Sequence, residues 1–155
     1  MHLAPLRSHR HLVSEVALLL HAEWGDLPPW SDRAAIERRL VNSSGDAVFP
    51  YAFIALAEDG QFAGTASVKL RELEGHSDKE HWLGEVFVRK DMRGRGLGTL
   101  LVNEGVRYAF GAGAAALYLY TPDQQALYAR LGWHECGEDA VNGEMVTIMV
   151  RHRDA

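Results

Sequence analysis

A chain of 155 residues, 47% hydrophobic and 24% charged, has an ordinary soluble balance and reads as a single domain, 1–155, large enough for a proper core. The formal charge of -5 argues against nucleic acid as the main partner and leaves room for a cationic substrate such as an amine. No apolar run is long enough for a membrane span, the N-terminus lacks a secretory layout, and the lone Cys136 allows no internal disulfide; a cytoplasmic location is expected.

In chain order, residues 1–7 read as a short first strand. Leu12, Val13, Val16, Leu19 and Leu20 recur on one side of a helix over 9–24, which Gly25, Pro28 and Pro29 break. Ser31 is the expected N-cap of a second helix whose apolar face is Ala35, Ile36 and Leu40; Asn42 to Asp46 closes it. A hairpin follows, with strands over 51–57 and 62–73 joined by Glu58-Asp59-Gly60-Gln61. After a polar connection, Trp82 to Arg89 has the aromatic and β-branched content of a buried strand. A glycine-rich turn leads into a helix ending near Gly111, with Leu97, Leu100, Leu101, Tyr108 and Ala109 at apolar positions. Strands over 115–121, 133–138 and 144–151 and a short helix over 124–131 complete an α/β layout around one mixed sheet.

The turn at 93–98 carries the strongest chemical signal. The first N–H groups of a helix lack internal partners, and the helix dipole places about half a positive charge there. Glycines remove the Cβ atoms that would hold a phosphate off those groups. Arg89, Lys90, Arg93 and Arg95 add cationic charge, offset only by Asp91, in a chain that is otherwise acidic. The spacing is neither the G-x-x-x-x-G-K-[S/T] of a Walker loop nor the G-x-G-x-x-G of a dinucleotide fold, since Thr99 stands where the third glycine belongs.

Arg93-Gly94-Arg95-Gly96-Leu97-Gly98 resembles the R/Q-x-x-G-x-G/A signature of the GNAT superfamily of N-acetyltransferases. The resemblance extends through the preceding strand, the following helix, and Ala116 to Trp133. It implies a twisted, mostly antiparallel α/β (α+β) sheet of about six or seven strands with about four helices. It also implies acetyl-CoA as co-substrate, its pyrophosphate held by the backbone of Arg93, Gly94, Arg95, Gly96, Leu97, Gly98 and Thr99. By the same resemblance, Val86, Phe87 and Val88 offer backbone groups to pantetheine, and Asp123 and Gln124 stand where a polar cofactor contact is common.

Acetyl transfer needs a neutral amine, a polarised thioester and a protonated leaving thiolate. A lysine-type amine is only about one part in 2,500 neutral at pH 7, against roughly one in seven for an α-amine, so a base matters more for the former. Glu85 is the leading base: an unpaired carboxylate within an apolar strand favours its protonated form, and the position matches the family's strand base. An ordinary solvated strand face is the competing reading. His81 is a second candidate. Leu127-Tyr128-Ala129-Arg130-Leu131-Gly132-Trp133 resembles the family's L-Y-x-x-x-G-F/W, which makes Tyr128 the candidate acid and a coenzyme contact. Trp30, after a double proline, is expected beside the acceptor. The eight histidines lack zinc-site spacing, and no metal is expected. The partner is a small-molecule or peptide amine, and the chain is a monomer or homodimer. A non-catalytic acyl-coenzyme A sensor on the same scaffold is the alternative.

Overall fold

The computed structural model describes residues 1–153. Seven strands form one sheet: β1 (His2–Pro5), β2 (Tyr51–Leu56), β3 (Phe62–Leu70), β4 (His81–Val88), β5 (Ala116–Thr121), β6 (His134–Val141) and β7 (Glu144–His152). Their spatial order is β1-β2-β3-β4-β5-β7-β6, and every neighbouring pair is antiparallel except β4 and β5. The helices are α1 (Val13–Trp24), α2 (Arg33–Ser43), α3 (Leu97–Gly111) and α4 (Gln125–Arg130). The expected mixed, mostly antiparallel sheet with four helices is therefore present. No described helix is long and apolar enough to cross a membrane.

Two apolar cores sandwich the sheet. Val13, Val16, Ala17 and Leu20 of α1 and Ile36 and Leu40 of α2 bury against Ala52, Ile54, Phe62 and Phe87 on one face. On the other face, Leu97, Leu101, Val102, Val106 and Ala109 of α3 pack on Phe53, Ala66, Val68 and Leu83. These α3 positions recur near four residues, as a helix lying flat on a sheet requires. Leu100, expected in the apolar set, is exposed. Gly105 lets α3 approach closely: a Cβ there would stand 2.6 Å from Leu83 Cδ1.

Helix boundaries shift for local reasons. Residues 10–12 form a 3₁₀ turn, so α1 begins at Val13 rather than near His9. Asp32 caps α2, its carboxylate accepting from the Ala34 N–H at 3.0 Å, while the Ser31 hydroxyl turns back to the Pro28 carbonyl at 2.9 Å. The last two strands run longer than expected because Asn142 and Gly143 both take positive φ and join them by a two-residue turn.

Two irregularities shape the sheet's centre. The parallel strands β4 and β5 share a single register pair, Trp82 with Tyr118, and part beyond it. Trp82 is fully buried and donates its indole N–H to the Lys79 carbonyl at 2.7 Å, which anchors the point of divergence. Along the other edge of β4, Gly84 faces Ser67 and Phe87 faces Thr65, so Glu85 and Val86 together oppose Ala66. That extra residue is a β-bulge, with Glu85 at φ 58. Strict alternation from Leu83 would send Phe87 to the α3 side; the bulge moves it to the α1 side.

Candidate active site

Divergence of β4 from β5 opens two adjoining clefts. One, of about 560 Å³, runs from Val86, Phe87 and Val88 to the loop at Arg93, Gly94, Gly96 and Gly98. The other, of about 390 Å³, lies over Leu83–Val86 and Leu119–Thr121, walled by Trp24 and Trp30 and by the tip of the β6–β7 hairpin. Trp24, Val86, Asp123 and Gln124 line both.

The loop presents backbone. Gly94 and Gly96 have φ of 81 and 79, the left-handed region that favours glycine, and a Cβ on either would meet nothing within 4 Å. α3 starts at Leu97 without a side-chain cap, and its first internal bond runs from the Leu100 N–H to the Gly96 carbonyl at 3.1 Å. Among the described residues, no protein group accepts from the N–H groups of 94–99. A row of unpaired amides at a helix start, in open space, fits a diphosphate.

Two of the loop's arginines are committed to protein partners. Arg93 donates from Nε to the Val88 carbonyl at 2.8 Å and from its guanidinium to Glu23 of α1 at 2.9 Å, and it lies over the Phe87 ring. Arg89 donates to the Phe62 carbonyl at 3.1 Å and to Asp91 at 2.9 Å. Both brace the loop. Arg95 is exposed, and neither Arg95 nor Thr99 lines the cleft.

Backbone polarity along β4 follows from the ladder. The Arg89 N–H donates to the Ala63 carbonyl of the β3 side at 2.9 Å. By alternation Phe87 also directs its polar groups to β3, while Val86 and Val88 direct theirs toward the gap beside β5. The Val88 carbonyl is already taken by Arg93, which leaves its N–H.

Glu85 is not the unpaired carboxylate the sequence suggested. The bulge turns its side chain, only 6% exposed, onto the ammonium of Lys69 in β3, which also binds Glu72 at 3.1 Å. Burial alone would lower the Lys69 pKa, but Glu85 and Glu72 outweigh it and hold the ammonium above its usual range. Glu85 nevertheless lines the second cleft. His81 lies elsewhere, stacked edge-on against Phe49 with ring centroids 5.0 Å apart, and borders neither cleft.

Tyr128, on α4, is nine-tenths buried, edge-on to Trp133 at 5.9 Å, and lines the second cleft. Its hydroxyl has no hydrogen-bond partner among the described residues. Burial, reinforced by nearby Asp123, pushes the phenol up to about 12, so it keeps its proton at any physiological pH. α4 itself follows a turn in which the Thr121 hydroxyl accepts from the Gln124 N–H at 3.0 Å. Cys136 is exposed on β6 and borders neither cleft.

Unpaired loop amides, two parting parallel strands and a protonated phenol in the second cleft form a site suited to a phosphate-bearing coenzyme. Residues 15–133 match the family described as the acetyltransferase (GNAT) family, and the chain belongs to it. The mycothiol acetyltransferase of Rhodococcus jostii is 32% identical over 134 residues, 82% of this chain but only 42% of that protein. The chain thus spans less than half the length of this curated relative. Among solved structures, an aminoglycoside 6'-acetyltransferase type Ii superposes with a TM-score of 0.77 at 20% identity, covering 98% of this chain and 97% of its own. A streptothricin acetyltransferase of Bacillus anthracis, solved with acetyl coenzyme A, gives a TM-score of 0.56 at 19% identity over 68% of this chain and 63% of its own.

Proposed function

We propose that residues 1–155 act as one unit that moves an acetyl group from acetyl-CoA to a primary amine, by direct attack within a ternary complex. The observation that carries this reading is the pair of adjoining clefts opened where β4 and β5 part beyond Trp82 and Tyr118, with the Tyr128 hydroxyl unpartnered in the second of them. Acetyl-CoA, when bound, supplies an activated thioester at that junction.

The chain's own groups do the rest. The amides of Gly94, Gly96, Leu97 and Gly98, which line the coenzyme cleft, hold the diphosphate, and the glycines keep Cβ atoms away from it. The free edge of β4 at Val86 and Val88 orients the pantetheine arm, and an N–H of that edge polarises the thioester carbonyl. Asp123 and Gln124 flank the passage between the clefts. Glu85, fixed by Lys69, takes the proton that the amine sheds as its nitrogen bonds to the acyl carbon. Tyr128 gives its proton to the sulfur as the carbon–sulfur bond breaks. No protein nucleophile enters, in keeping with Cys136 lying outside both clefts.

Calorimetric titration with coenzyme A, followed by thiol release from acetyl-CoA across an amine panel, tests the reading. Binding with amine-dependent thiol release is expected. Binding with no release on any amine supports the non-catalytic coenzyme sensor, and no binding removes the coenzyme reading altogether.

A further inference from the structure

The second cleft is charged in one sense. Its walls carry four carboxylates, those of Glu72, Glu85, Asp123 and Glu144, against one cation, Lys69. Lys69 is committed to Glu85 and Glu72. Glu144, exposed at the start of β7 on the hairpin tip, has no ion-pair partner among the described residues; Asp123, also without one, lines both clefts where they adjoin. The opposite wall is aromatic: Trp24 and Trp30 pack with ring centroids 4.9 Å apart, and Tyr120 joins them in lining the space. Tyr128, nine-tenths buried and with its hydroxyl unpartnered among the described residues, lines the same space, which marks it as a place for a ligand rather than an acidic patch alone.

We infer that the acceptor is a primary amine carrying at least one further positive charge. The inference rests on the transferase reading above and specifies its substrate. Carboxylates favour cations by charge, and an indole face does so by the ring quadrupole; Trp30 already carries the Arg39 guanidinium over its ring at 4.5 Å, so the carboxylates are the stronger attraction for a ligand cation. Glu85, beside the cleft junction, serves the amine that reacts; Glu144, on the hairpin tip, holds the charge that does not. A monoamine leaves that carboxylate unanswered, and an amino acid of equal length sets its own carboxylate against it.

The test uses α,ω-diamines of four to eight carbons, the matched monoamines, and the matched ω-amino acids, with acetyl-CoA and the full chain. The expected order of kcat/KM is diamine, monoamine, amino acid, with the best diamine about fivefold or more above its monoamine and the gap closing as salt rises. Glu144→Gln raises KM for that diamine about threefold to fivefold, and by clearly more than it raises KM for the monoamine. Thermal shift with the diamine alone gives a readout free of turnover: stabilisation of the wild-type chain that Glu144→Gln reduces. Equal efficiency for diamine and monoamine, or a preference for the amino acid, overturns the inference while the transferase reading stands. Failure to bind coenzyme A instead strikes the transferase reading itself.

Discussion

The two clefts are built from opposite materials. The coenzyme side is backbone: glycines at positive φ, a helix start without a cap, and the unpaired edge of a parting strand. Its arginines serve as struts, Arg93 tying the loop to Val88 and Glu23. The acceptor side is side chain, with an ion triad at Glu85, Lys69 and Glu72, two tryptophans and a hairpin tip. A backbone site recognises what every reaction of this kind shares, because amides are the same whatever the surrounding sequence. A side-chain site is free to differ, and here it is acidic. On the proposed function, the contrast assigns affinity for the coenzyme to main-chain geometry and choice of acceptor to charge.

The largest expected effect lies on the backbone side. Gly96→Glu puts a carboxylate into the space the diphosphate takes and forces a Cβ into the left-handed region, so coenzyme A binding should vanish in calorimetry. Unchanged affinity would break the distinction drawn between the clefts. Next is Glu85→Gln, which keeps the bulge and leaves Lys69 with Glu72; kcat should fall about 10²-fold or more with coenzyme affinity intact. A kcat within twofold of wild type would remove Glu85 from proton removal and leave it only the Lys69 pair.

Tyr128→Phe should lower kcat about tenfold to 10²-fold with little change in coenzyme Kd. The phenol titrates near 12, above its ordinary value, so the donor stays protonated through pH 10. The wild-type rate should therefore show no decline between pH 8 and 10 that disappears in the variant; such a decline would show a phenol titrating normally. The smallest effect is expected at the strut. Glu23→Gln removes an ion pair that is partly solvated, and should weaken coenzyme binding only about twofold to fivefold. A loss as large as that of Gly96→Glu would mean that Arg93 binds phosphate directly.

The same contrast explains what was legible in the sequence. Gly94 and Gly96 are legible because the left-handed backbone of the turn favours glycine, and that preference shows in the residue itself. Helix periodicity likewise placed α1, α2 and α3 within a few residues, though Leu100 belongs to the exposed face. The bulge at Glu85 left no such mark, since a glutamate at positive φ is unusual and nothing nearby in sequence signals it. Without the bulge, Lys69 cannot be paired with Glu85 from the chain alone: sixteen positions separate them, and only the β3–β4 register brings them together. Val141, Asn142 and Glu144 were equally hidden, because a hairpin tip reaches the acceptor cleft through tertiary placement and not through local pattern. The family resemblance grouped Phe87 with Val86 and Val88, yet strand alternation turns its backbone to β3.

One comparison bears most directly on the loop: calorimetric Kd values for coenzyme A and for pantetheine, which lacks the diphosphate, on the wild-type chain and on Gly96→Glu. Coenzyme A should bind the wild-type chain at least about tenfold more tightly than pantetheine, and the gap should close in the variant. Equal affinities for the two ligands on the wild-type chain would contradict the assignment of residues 94–98 to the diphosphate.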